Sequence, residues 1–589
     1  GQPGQPACPF VLPAAIVDLV SSISPAIVAQ KAVARLPRRA LILLCLAYVL
    51  PGFVARNPWK NADLEAFGFM LALARPESGQ AVSWLKPLLA GQAEPSLALL
   101  PLWLGAWCIR LAPPGWEALA ARLPFMVMLA LTLAATWQGV YALARTRAAQ
   151  PVAFAFGGEA HPADYARTLA DGGVLALLGC LGLALLSHEI TPALSQLCFT
   201  SLLFYGLTTT PRQRWVRLGA AAAGLLGLTL SGAPTMAVLL GAGGWLVHVL
   251  EQPDPNHRSP RMLDKALLVL FILLSITLAG ALDLWRWRLQ PPAPDQLHSF
   301  ARLLLWFTWP AGPLALWSLW RWRRQLLQGW RMPHIGLPLW FVLVTVGTTW
   351  FTGNTNRALL SALPAIATLA AFALPTMRRS VGAFIDWFTL LFFSLGALII
   401  WVVWVAMQTG TPAVTARNVV REAPDFVPSL SLTGLAIAAI AFAGWLALVR
   451  WRTSRHRIEL WKSLVLPAAG VTLCWLLLMT LWLPLLDHRM SYGPLLERMR
   501  AAHPDIRCVQ TVSLNNAQNA ALRHHGPWHV RVAGAAHLAP EHCRWLVTSS
   551  RHLPHHETQL RQWGWTEVAR YPRPSDSQDI FVLLAPAQP

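Results

Sequence analysis

Charge is what this sequence has least of. Only 13% of its 589 residues are Asp, Glu, Lys or Arg, about half the share of an ordinary soluble domain. With 55% hydrophobic residues, the chain carries more apolar surface than one globular core can bury, which excludes a soluble protein and leaves a polytopic membrane protein. Acids are scarcest of all: 27 against 47 basic residues, a formal charge of +20. The basic residues fall in short clusters between apolar runs rather than along one stripe. They therefore read as inner-face anchors and anionic-lipid contacts, not as a nucleic-acid surface. Acidic residues inside the apolar runs are few and no inverted internal repeat is visible, which argues against a carrier of lipid-linked sugars. No helical segment pairs histidines with an acid at ligand spacing, so His524-His525 and His555-His556 do not form a metal motif.

What is present is a series of apolar stretches. Residues 1–37, broken by Pro13, Asp18 and Pro25, are expected to be an unstructured or interfacial tail. Arg38-Arg39 then precede the first span, with their charge holding its start in the cytoplasm. By the ~20-residue rule about thirteen transmembrane helices follow within residues 38–486, with basic clusters recurring on one side. The loop 56–122 and the C-terminus fall on the other side. From Asp487 polar residues return and short strand-like and helical runs alternate, as expected of a small α/β domain over 487–589. Cys508 and Cys543 are the two cysteines of that polar region and form its disulfide candidate. The 30 tryptophans suit interfacial belts, Trp103 and Trp107 at i and i+4 among them.

Asp63 and Glu65 follow the first span directly, within Arg56-Asn-Pro-Trp-Lys60-Asn-Ala-Asp63-Leu-Glu65-Ala-Phe67. A carboxylate held beside membrane helices marks a candidate site. Trp84-Leu-Lys86-Pro, Glu94-Pro-Ser-Leu97, Ala121-Arg122-Leu, Leu230-Ser-Gly-Ala-Pro234, Phe307-Thr-Trp-Pro310, and Arg357 seven residues before Pro364 come after it in order. This ordered set resembles the lipid A aminoarabinose transferase and protein O-mannosyltransferase group. These are GT-C glycosyltransferases that use polyprenyl-phosphate sugars.

The resemblance implies a mainly α GT-C fold with about 13 transmembrane helices and outer-face juxtamembrane helices. It also implies a periplasmic C-terminal α/β domain in a bacterial inner membrane. The partners it implies are a polyprenyl-phosphate-linked sugar donor, a lipid, glycan or protein acceptor, and membrane lipids. Asp63 would be the general base of an inverting transfer, with Glu65 second. The leaving phosphate needs cations: Arg122, Arg302, Arg357 and Lys86, or a divalent cation. Glu94, Glu189 and His188 would line the acceptor cavity. The sequence departs from the family pattern at Glu65, Phe67 and Ser231, which bears on acceptor and sugar more than on reaction type. On this reading Asp63→Asn abolishes transfer without lowering the melting temperature.

Overall fold

A computed structural model of the chain describes residues 24–59, 61–76, 83–93, 98–208, 213–250, 262–285, 296–327, 332–352, 355–454, 459–526, 528–533, 543–573 and 576–587. It is mostly helical, with one five-stranded sheet near the C-terminus. Among the described residues, seven helices are long and apolar enough to cross a membrane: Glu117–Ala144, Met262–Ala281, Pro333–Thr352, Asn356–Thr376, Arg379–Thr409, Leu432–Arg452 and Lys462–Leu481. Each of the other expected spans is helical but short or interrupted. Arg38–Val49 has 12 residues, about 18 Å of helix. The apolar run 303–320, long enough in sequence for one span, lies on two helices, Gln296–Thr308 and Ala311–Arg321. Pro310 stands between them, and a proline has no N–H to continue a ladder.

Residues 24–37 are not a loose tail. Gln30 N–H donates to the Gly158 carbonyl and the Leu460 N–H donates to that of Ala32. The Trp461 indole donates to the Ala34 carbonyl at 2.8 Å, and Ala26, Val28 and Val33 are buried. The apolar residues that made this stretch look interfacial pack against the helical body instead.

The Asn61–Ala74 helix is apolar nearly all round and is accordingly buried on nearly all sides. Leu99–Leu111 packs beside it with Gly105 against Met70. Trp84 lies between Trp103, whose indole donates to its carbonyl at 2.8 Å, and Arg110, whose guanidinium sits 4.7 Å over its ring.

The C-terminal sheet has the order β4-β3-β5-β7-β6. Its strands are β3 (Cys508–Val512), β4 (His529–Val532), β5 (Trp545–Ser549), β6 (Trp565–Arg573) and β7 (Asp576–Pro586). A hairpin in the first loop supplies β1 (Leu88–Leu89) and β2 (Gln92–Ala93). β3 pairs in parallel with β4 and β5, while β7 runs antiparallel to β5 and β6. β6 and the helix Gly493–Ala502 are absent from the sequence reading. The period-2 signal of β6 is masked because both of its faces carry polar residues.

Cys508 and Cys543 are joined by a disulfide, with Cα atoms 5.3 Å apart and 35 residues between them in sequence. Replacing both by serine is expected to destabilise this unit by about 4 kcal/mol through the loop entropy it restores to the unfolded chain. Calorimetry of its unfolding transition checks this, and alkylation of either thiol without prior reduction would contradict the bond.

Candidate functional site

The turn after the first helix delivers the chain to the site. Gly52 sits at φ +90°, and a Cβ there would lie 2.4 Å from the Trp475 ring, so glycine is required by both conformation and space. Arg56, Asn57 and Trp59 follow in extended chain, and Asp63 opens the Asn61–Ala74 helix, where a carboxylate is favoured by the helix dipole.

Asp63 is fully buried and accepts three hydrogen bonds. Its Oδ2 takes Arg56 Nη2 and the Trp59 backbone N–H, each at 3.0 Å. Its Oδ1 takes the Ile190 N–H at 2.8 Å. Arg56 Nη2 also donates to the His188 carbonyl at 2.8 Å, and Arg122 Nη1 donates to the Arg56 carbonyl. Both guanidiniums are buried, yet Arg56 Nε and Nη1 and Arg122 Nε and Nη2 have no hydrogen-bond partner among the described residues. Buried donors without a partner are costly, and four of them gather on these two guanidiniums.

A second acid closes the cluster. Asp487, on the Leu483–Met490 helix, accepts from Trp59 Nε1 at 2.5 Å and from Asn57 N–H at 3.2 Å. Burial pushes its carboxyl above the usual range, against the pull of Trp59, Asn57, Arg122 and Arg56. Sequence reasoning missed Asp487 and Arg56. Asp487 carries the same signal that singled out Asp63, an acid just past an apolar helix.

The other expected site residues divide. Glu189 is buried and pairs with Arg357, Nε to Oε2 at 2.7 Å, so it does not cap the Pro192–Gly206 helix. His188 is buried with both ring nitrogens on backbone carbonyls, those of Ala184 and Tyr48. Burial pushes its imidazole down to about 4, so the neutral ring, packed between Phe53 and Trp475, donates to one of these two carbonyls at a time. Lys86 and Arg302 are exposed and stand outside the cluster. Glu94 lies outside the described residues. Those residues hold no group of three or more His, Cys, Asp and Glu side chains placed for a metal, and each acid of the cluster is engaged by arginine, indole or backbone donors.

Glu65 turns away from Asp63 toward the C-terminal unit, accepting from Asn516 Nδ2 at 2.8 Å. Phe67 meets the His524 ring edge-on at 4.7 Å. Arg523 donates to the Arg75 carbonyl at 2.7 Å, and a Cβ on Gly68 would lie 2.4 Å from that of Ala520. One face of the Asp63 helix is thus the seat of the Asn516–His525 helix. Glu65 and Phe67 both contact the C-terminal unit.

Burial, with Arg122 nearby, pushes His524 down to about 4. Burial and His524 push His525 down to about 3. An imidazole whose folded pKa is depressed binds more protons when unfolded. Its stabilising contribution is complete above pH 6.5 and is lost as pH falls through 6.5 toward 4 and 3. The melting temperature is expected to fall between pH 7 and 4.5, and His524→Phe with His525→Phe to flatten that profile. A fall of equal size in the double variant would place the titration elsewhere.

No protein-family model matches this sequence, and no curated protein matches it. Two solved structures share its fold. The crystal structure of ArnT from Cupriavidus metallidurans bound to undecaprenyl phosphate superposes with a TM-score of 0.59 at 13% identity, over 94% of this chain and 100% of that one. The same protein in the apo state gives 0.55 at 14% identity, over 93% and 98%. The chain has the GT-C fold that its ordered motifs implied, as a multi-pass membrane protein.

Proposed function

We propose that this chain is an inverting membrane glycosyltransferase that moves a sugar from a polyprenyl-phosphate donor, in bacteria undecaprenyl phosphate, to a lipid, glycan or protein acceptor. Transfer takes place at the periplasmic face of the inner membrane, the side on which the 487–589 unit stands. One observation carries the reading: in a GT-C fold, a buried carboxylate and two buried guanidiniums with open donors meet where the first loop, the 187–191 turn and the Leu483–Met490 helix converge.

The chemistry follows from those groups. Asp63 has about four lone-pair positions, of which three are filled. The open one on Oδ1 takes the acceptor proton as the acceptor oxygen bonds the anomeric carbon. The bond from that carbon to the phosphate oxygen breaks with its electron pair on the phosphate. Arg122 and Arg56, fixed before the reaction, neutralise that charge through guanidinium donors. Because Asp63 is fully buried, acceptor entry requires the 56–63 and 187–191 segments to part, a gating step of the kind that often limits turnover.

A non-catalytic reading has one observation in its favour: three donors already hold Asp63 in place. Mass spectrometry of lipids co-purified with the full chain separates the two. A polyprenyl-phosphate sugar is the expected find, and its absence from protein extracted out of a donor-producing membrane, together with no transfer on adding that donor, overturns the enzyme reading.

A further inference from the structure

The Asp63 cluster lies past the C-terminal end of the Arg38–Val49 helix. A groove of about 950 Å³ runs along that helix from Arg35 to Val49, bounded also by Glu117–Ala144 and Pro162–Gly179. We propose that this groove binds one anionic glycerophospholipid, its headgroup at the arginine end, on the membrane face opposite the Asp63 cluster. The two ends are separated by roughly 17 Å of helix rise.

The walls and the rim differ in the way such a ligand needs. Leu41, Cys45 and Ala134 stand on the apolar wall, and Arg35, Arg38 and Arg167 gather at one end. That end is also where Glu117–Ala144 finishes and Pro162–Gly179 begins, so Arg38 and Arg167 stand near the starts of their helices with Arg35 just before the first. A volume near the upper end of ordinary ligand sites accommodates a headgroup and the first part of its chains.

Charge complementarity selects the headgroup. Arg35 is paired with Asp164 at 2.9 Å, and Asp171, one turn beyond Arg167, accepts from Trp137 Nε1 at 2.8 Å. Three guanidiniums against two carboxylates leave an excess of positive charge, increased by the exposed Arg39 beside Arg38. A single phosphodiester offsets one of these charges and is drawn to the remainder. Asp171 is already held by an indole and faces Arg167, so it offers little to the ammonium of a zwitterionic lipid. Basic side chains at an interface each add attraction for anionic lipid, and the arginine stems extend the apolar wall.

The test uses the full chain, delipidated and placed in nanodiscs of dioleoylphosphatidylcholine, with dioleoylphosphatidylglycerol or dioleoylphosphatidylethanolamine titrated in and retained lipid read by native mass spectrometry. One phosphatidylglycerol per chain is expected to be held in preference to both other lipids. Removing two interfacial cations in R38A/R167A is expected to weaken it roughly 30-fold, whereas R38K/R167K keeps it. A134W, from an exposed position on the wall, fills the groove without touching charge and is expected to abolish retention. Equal retention of the three lipids overturns the proposal, as does parental phosphatidylglycerol binding in R38A/R167A or in A134W. None of these readouts depends on sugar transfer.

Discussion

Asp63→Asn is expected to lower sugar transfer by at least about 100-fold per folded molecule, the usual scale for loss of a general base. It is also expected to lower the melting temperature, and here the structure corrects the sequence. An acid beside a membrane surface would be replaceable without structural cost, but Asp63 and Arg56 are a fully buried pair at 3.0 Å. Removing one partner leaves the other as an uncompensated buried charge, at a cost of about 3–5 kcal/mol. Adding Arg56→Met to Asp63→Asn removes that charge and is expected to recover much of the stability while leaving transfer abolished. The quantities to measure are turnover normalised to folded protein, and melting temperature, in both variants. Near-parental turnover of the folded fraction in Asp63→Asn would remove Asp63 from the base role and leave it as the pin of the first loop.

Much of this site was legible because it is made of helix ends. Asp63, Arg122, Glu189 and Arg357 are far apart in sequence, yet each stands where an apolar run begins or stops. The structure brings the first two into one cluster, with the Glu189–Arg357 pair joined to it through the backbone of His188 and Ile190. That criterion fails where a charged residue at a helix end faces outward, as for exposed Arg302, because position along a helix says nothing about rotation around it. It also overlooks partners that hydrogen-bond through the backbone: the Ile190 and Trp59 N–H groups carry no sequence signature. The count of spans was less legible than the fold. A run such as 303–320 satisfies a hydropathy window but is divided by Pro310, and Arg38–Val49 is shorter than the run it was read from. In the sequence Glu65 and Phe67 stand out only as departures from the family pattern. Their contacts with Asn516 and His524, some 450 residues later in the chain, are tertiary and could not have been inferred from local pattern.

Arg122→Met is the variant that best separates catalysis from architecture. Arg122 is 1% exposed and makes a single hydrogen bond to the Arg56 carbonyl, with Nε and Nη2 open. Asp63 and Asp487 are close enough to favour its charge, while Arg56 opposes it. No carboxylate contacts it directly among the described residues. A buried cation held this way contributes little to folding, since an apolar chain of similar length would avoid its desolvation. Arg122→Met is therefore expected to leave stability within about 1 kcal/mol of the parent, or to raise it. Transfer is expected to fall by about 100-fold or more, as when one preorganised donor to a developing oxyanion is removed. The donor KM rises as well, because the phosphate is anionic in the ground state too. Arg122→Lys keeps the charge but loses the planar fork, and recovers part of the rate. If Arg122→Met instead melts far below the parent while its folded fraction turns over normally, the guanidinium is a structural tie to the Arg56 loop. The phosphate must then be met by Arg56 alone.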